Sequence, residues 1–209
     1  MRMKLRTTPV AAVKRKSVII LDLDRTLFDT EALKKDTFAA VKACGHSVPA
    51  AKRIAKETFC ARGFSPRAFV HALVLDAAQK KKLLVLLNAI FARAEEYWYE
   101  GVDEFLDALK KDYVVMLLSY GNGAYQRKKI INTRFEKLFD RICITGEKEK
   151  ERLLRTIAKT AKSVVFLDDS LIAIETARRL SIHAIRVKKT KKDAAYFETL
   201  VRKIKKLIE

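Results

Sequence analysis

The stretch Ser17-Val18-Ile19-Ile20-Leu21-Asp22-Leu23-Asp24-Arg25-Thr26 decides how the chain is read. Its apolar, largely β-branched run does not alternate with polar residues, the pattern of a strand covered on both faces in a parallel sheet. The strand ends on two carboxylates. Ligands of open α/β sheets bind outside the carboxyl ends of the strands. Residues two apart share one side of the pleat while a strand continues, so Asp22 and Asp24 are expected to lie together. Two close carboxylates repel each other, and a hard divalent cation such as Mg2+, which prefers oxygen ligands, relieves that conflict.

A second apolar run, Val164-Val165-Phe166-Leu167, ends on Asp168-Asp169-Ser170. Either acidic end alone also reads as the N-cap of a following helix, because Asp is a good cap. Two such ends on neighbouring strands bring Asp22, Asp24, Asp168 and Asp169 to one edge, where a metal is expected. A third strand end, Leu117-Leu118-Ser119-Tyr120-Gly121-Asn122-Gly123, offers a hydroxyl and backbone N–H groups at a helix start, which suits an anion or an ordinary capped turn. A fourth, Thr145-Gly146-Glu147-Lys148-Glu149-Lys150, places lysines at a helix start.

Around these ends, short apolar runs alternate with helical patterns, which predicts an α/β fold with a parallel sheet and crossover helices. Strands are expected at 17–23, 113–118, 141–145, 164–167 and 184–187. Core helices are expected at 101–110, 124–132, 149–159 and 171–180, with an amphipathic C-terminal helix built on Phe197, Leu200, Val201, Ile204, Leu207 and Ile208. The segment between the first two strands is too long for one crossover helix and reads as four helices, at 31–43, 49–61, 66–75 and 77–96. The organisation expected is therefore a basic arm at 1–16, an α/β core at 17–30 and 96–209, and an inserted all-helical cap domain at 31–95.

The chain has 209 residues, 49% of them hydrophobic and 33% charged, enough for a sizeable buried core. Six Gly and three Pro are too few for a low-complexity chain. No apolar run is long enough to cross a membrane and no signal peptide is visible, so a cytoplasmic location is expected. Cys44, Cys60 and Cys143 are widely spaced and contain no CxxC, which reads as reduced thiols. The net charge is +19, yet residues 17–30 hold three Asp against one Arg. The surface should attract anions in general, with an acidic island inside it.

Taken in this order and spacing, the four strand ends resemble the motifs of the haloacid dehalogenase-like (HAD) phosphohydrolase superfamily. The DxDx[TV] motif matches Asp22-Leu23-Asp24-Arg25-Thr26, and the strand ending in Ser or Thr matches Ser119. The helix-start lysine matches Lys150, with Lys148 as its rival, and the acidic pair matches Asp168-Asp169. The resemblance covers roughly residues 17–190 and implies a three-layer Rossmann-like core with a helical C1-type cap. It further implies that Asp22 is the nucleophile that forms an aspartyl-phosphate and that Asp24 is the general acid, then base. Mg2+ would be bound by the Asp22 carboxylate, the Asp24 backbone carbonyl and Asp168, with Asp169 on a metal-bound water. Ser119, with the backbone at Tyr120 and Gly121, would hold phosphate oxygens, and Lys150 would neutralise charge. Arg25 departs from the family, which commonly has Gly there. So does Tyr120-Gly121-Asn122. The presence of Asp24 argues against a haloalkanoate dehalogenase.

The function expected is Mg2+-dependent hydrolysis of a phosphomonoester of a small phosphorylated metabolite, by a monomer or homodimer with no membrane partner. Phosphomutase-type phosphoryl transfer is the alternative within the superfamily. Outside it, the +19 charge suits a nucleic-acid-binding role or a nucleic-acid-end phosphatase, although the sequence holds no recognisable RNA-binding motif.

Overall fold

The computed structural model describes residues 16–58, 63–131, 133–188 and 192–209. The basic arm up to residue 15, Cys60 and the side chain of Lys148 lie outside the described residues.

Five parallel strands form one sheet: β1 (Ser17–Leu21), β2 (Val114–Tyr120), β3 (Arg141–Thr145), β4 (Ser163–Asp168) and β5 (His183–Arg186), in the order β3-β2-β1-β4-β5. The chain moves outward from β1 to β2 and β3 on one side, then crosses to β4 and β5 on the other. The switch in direction lies beside β1, where α/β sheets open a crevice at the carboxyl ends of their strands.

The two faces of the sheet divide the β1 side chains by parity. Ile19 and Leu21 pack with Val115, Leu117, Val165 and Leu167 in one cluster, and Val18 and Ile20 with Met116, Leu118 and Phe166 in the other. The first face is covered by α5 (Val102–Lys110) and α9 (Ala194–Ile208), through Phe105, Leu106, Phe197 and Ile204. The second is covered by α7 (Glu147–Ala158) and α8 (Leu171–Arg179), through Leu154, Ile157, Ile174 and Ala177. This is the expected three-layer Rossmann-like arrangement. Each of these buried aliphatic side chains contributes about 1.5–3 kcal/mol, and truncating Ile20 to Ala would cost about 2–5 kcal/mol.

Between β1 and β2 the chain forms α1 (Thr30–Ala43), α2 (Val48–Glu57), α3 (Pro66–Ala72) and α4 (Ala77–Ala92). Asp29 starts α1 by accepting the amides of Glu31 and Ala32. Asp76 and Gln79 start α4 with a reciprocal capping box. The fourth helix was expected to reach residue 96, but it stops at Ala92 and is followed by a 3-10 turn, Ala94–Tyr97. The tighter turn buries Ala94 and Tyr97 as the chain comes back to the sheet. The outgoing and returning segments are tied together: Asp29 N donates to Tyr97 O and Tyr99 N donates to Leu27 O. Trp98 stacks on Phe135 with centroids 4.1 Å apart, and its Nε1 donates to Lys129 O in α6 (Gly123–Ile130). Among the described residues, no helix is long and apolar enough to cross a membrane.

Candidate active site

The β1–β4 register pairs Leu21 with Leu167, so Asp22 stands level with Asp168. Asp22 N still donates to Leu167 O at 2.9 Å. Beyond it the chain leaves the ladder, and Leu23 O accepts the amides of Thr26, Leu27 and Phe28. The expectation that the strand runs to Leu23 is thus corrected. Asp24 lies outside the sheet, bridged to Phe28 across the turn at 25–27, and its carboxylate faces different partners from that of Asp22.

Asp22, Asp168 and Asp169 form one group, each offering a carboxylate oxygen within 4.8 Å of the others. Lys150, from α7, places Nζ 2.9 Å from Asp22 Oδ1 and 2.8 Å from Asp168 Oδ2. Lys150 is the lysine that reaches the carboxylates among the described side chains. Asp168 also holds the start of α8 by accepting the amide of Ser170. Burial pushes the Asp22 carboxyl up to about 8, helped by the charge of Asp168 and opposed by Lys150. Burial disfavours the Lys150 ammonium, but the two carboxylates outweigh it and raise this lysine above its usual range. Three clustered carboxylates, with Lys150 between Asp22 and Asp168 and Arg25 beside Asp169, suit a hard divalent cation. This donor set fits Mg2+.

Asp24 has its own environment. Its Oδ1 accepts from Thr30 Oγ1 at 2.5 Å and from Lys129 Nζ at 2.6 Å, and its Oδ2 accepts from Gln126 Nε2 at 2.6 Å. Burial alone would raise the Asp24 carboxyl, but the Lys129 ammonium and these hydrogen bonds hold it below the usual carboxylate range. Its carboxylate is not part of the group formed by Asp22, Asp168 and Asp169. The metal contact expected of Asp24 is through its backbone carbonyl.

Ser119 is buried near the end of β2, where its Oγ accepts from Gln126 Nε2 at 2.8 Å. Through Gln126 it is linked to Asp24. Tyr120 O accepts from the same Nε2 at 3.0 Å. Gly121 N donates to Thr145 O at 3.2 Å, because β2 stays paired with β3 to Tyr120, two residues beyond the expected end at 118. That amide is therefore engaged, and the expectation that it holds a phosphate oxygen is not met in this arrangement. Gly63, from the loop before α3, packs against Gly121 and Asn122. The helical insertion thus touches the site at this point.

Sequence reasoning missed Thr30, Gln126 and Lys129. The signal was present in α6, Gly-Ala-Tyr-Gln-Arg-Lys-Lys-Ile. Counting back from the buried Ile130 in steps of three and four puts Gln126 on the inward face. Lys129 was hidden by its neighbours Arg127 and Lys128. Arg25 stands where Gly is common in the resembling family, and its backbone gives the reason: φ is +58°. Its Nε lies 3.0 Å from Asp169 Oδ2.

A family profile of haloacid dehalogenase-like hydrolases matches residues 19–187. Among solved structures, a haloacid dehalogenase-like hydrolase of Xanthomonas campestris is similar at TM-score 0.69 and 17% identity, covering 93% of this chain and 94% of its own. A proposed β-phosphoglucomutase of Thermotoga maritima is similar at TM-score 0.65 and 19% identity, covering 91% and 99%. A proposed HAD-hydrolase of Bacillus subtilis, solved bound to magnesium, is similar at TM-score 0.58 and 12% identity, covering 94% and 100%. No curated protein matches by sequence.

Proposed function

The chain belongs to the haloacid dehalogenase-like hydrolase family, and from that premise we propose that it is a Mg2+-dependent phosphohydrolase acting on a phosphomonoester of a small metabolite. One observation carries the reading: a buried carboxylate at the end of β1 is held by an ammonium beside two further carboxylates, with a second, separately anchored carboxylate two residues on. One group is placed to attack phosphorus and the other, separately anchored, to move a proton; a divalent cation beside Asp22 would favour the ionised form that attack requires.

Asp22 attacks the phosphorus, the bond from phosphorus to the leaving oxygen breaks, and an aspartyl-phosphate forms. Asp24, which must enter this half carrying a proton, gives it to the leaving oxygen and is left ionised. Water then attacks the phosphorus, Asp24 takes the water's proton, and the Asp22–phosphate bond breaks to release inorganic phosphate. The ionised form in which Lys129 holds Asp24 is the one that accepts the proton in this second half. Lys150 keeps Asp22 in place and offsets negative charge, and the Ser119 hydroxyl donates to a phosphate oxygen. Asp22, Asp168 and the Asp24 carbonyl would hold Mg2+, with Asp169 beside them. The ion, when bound, stabilises charge on the transferring phosphoryl group. The insertion, reaching the end of β2 at Gly63, would favour small substrates and keep bulk water out during the first transfer.

The test is phosphate release from 4-nitrophenyl phosphate with Mg2+, with EDTA, and with Asp22→Asn in Mg2+. Turnover is expected only in the first. Turnover at the unaltered level in Asp22→Asn would remove the nucleophile from the scheme.

A further inference from the structure

We infer that Gln126 and Lys129 are positioning residues that fix which oxygen of Asp24 exchanges the proton; the inference rests on the function proposed above. A carboxylate offers about four lone-pair sites, two on each oxygen. Thr30 and Lys129 occupy both on Oδ1, and Gln126 occupies one on Oδ2. Among the described residues one site remains open, on Oδ2, and that oxygen delivers the proton.

Two features show that this arrangement is held at a cost. Lys129 is only 1% exposed, and its Nζ lies 4.4 Å from the Tyr125 ring centroid and 5.3 Å from that of Phe28. A buried ammonium enclosed by aromatic rings contributes little to stability, since removing both charges of such a pair is often neutral or better. Gln126 Oε1 is buried with no hydrogen-bond partner among the described residues. Turning the amide over would satisfy no more groups and would set Oε1 against the carboxylate. An unsatisfied buried oxygen is thus tolerated so that Nε2 can span Asp24, Ser119 and the Tyr120 carbonyl. The same amide touches the proton-moving carboxylate and the hydroxyl expected to hold phosphate, so it sets the distance between them.

The test uses the full chain with Mg2+ and compares kcat/KM for phenyl phosphate and 4-nitrophenyl phosphate. The phenolate leaving group needs the proton and the nitrophenolate departs without it. kcat/KM reports the steps up to departure. Lys129→Met and Gln126→Met keep side-chain length and remove the contacts. We expect a loss of about 100-fold on phenyl phosphate and less than about fivefold on 4-nitrophenyl phosphate. Mg2+ affinity, measured by calorimetry without substrate, should stay within about threefold of the unaltered protein. Gln126→Met introduces no unpaired charge and carries the test if Lys129→Met does not fold. Equal losses on both esters, no loss, or a loss matched by weakened Mg2+ binding would overturn the positioning role. If the unaltered protein hydrolyses neither ester, the proposed function falls and this inference with it. If it hydrolyses both and the variants lose both equally, only the positioning role falls.

Discussion

A Cβ on Gly63 would stand 2.8 Å from Gly121 Cα, so the loop of the helical insertion meets the end of β2 backbone to backbone. Asn122 N lies at the same 2.8 Å, and Gly63 takes φ +81°. No flexible side chain can give way there. Gly63→Ala must therefore push the loop off the site and strain its own backbone, at about 1–2 kcal/mol. Thermal melting should fall by about 2–8 °C, and kcat/KM for a phosphomonoester should fall with it. An alanine variant that melts and turns over like the unaltered protein would show that the contact is not needed.

Asp22→Asn should abolish turnover and, without metal, stabilise the protein at alkaline pH. Burial raises the Asp22 carboxyl from 3.8 to about 8. Between those values the unfolded chain has lost the proton and the folded one keeps it, so folding stability falls as pH rises through that window. Asn does not ionise and escapes the loss. The melting temperature of the variant minus that of the unaltered protein should grow from pH 5 to pH 8, by at least about 3 °C. Saturating Mg2+ should reverse the sign, because the cation favours the carboxylate. A difference that is flat with pH in EDTA would contradict the buried environment of Asp22.

Much of the site could be read from the chain because its chemistry is concentrated at strand ends. Asp22, Asp168 and Lys150 meet because two apolar strands and one helix start deliver them to one place, and each apolar run was visible in the sequence. The anchorage of Asp24 was not. It depends on where β1 leaves the sheet, which is set by Leu23 O accepting three amides. It also depends on one lysine among three consecutive cations being the one that turns inward, a choice made by the packing of Tyr125 and Phe28. The same limit applies to Gly121, whose amide was expected to be free and is taken by Thr145. Periodicity reports which faces are buried, and it does not report where a ladder ends.

Lys150→Met should leave Asp22 and Asp168 facing each other without a cation. Breaking a buried pair by removing one partner costs about 3–5 kcal/mol, a fall of about 10 °C in melting temperature for a chain of this size. Mg2+ should recover a larger share of stability in this variant than in the unaltered protein, because the ion takes over part of the neutralisation. Melting curves in EDTA and in Mg2+ measure both effects. A variant that melts normally in EDTA would mean that water, not Lys150, carries the charge of the carboxylates.

Arg25→Gly sets two effects against each other. A side chain at φ +58° costs about 1–2 kcal/mol, which glycine relieves. The substitution also removes the Asp169 pairing, and with Arg25 side-chain exposure at 42% that pair contributes at most about 1 kcal/mol. The net change should lie between no effect and a stabilisation of about 2 kcal/mol, a rise in melting temperature of at most about 8 °C. Metal affinity should respond more clearly. Arg25 competes with a divalent ion for the Asp169 carboxylate, so its loss should tighten Mg2+ binding by about two- to tenfold, the equivalent of up to about 1.4 kcal/mol. Calorimetric titration of the metal-free variant reads this directly. Unchanged or weaker Mg2+ binding would place Asp169 outside the electrostatic reach of the metal and assign Arg25 a purely conformational role.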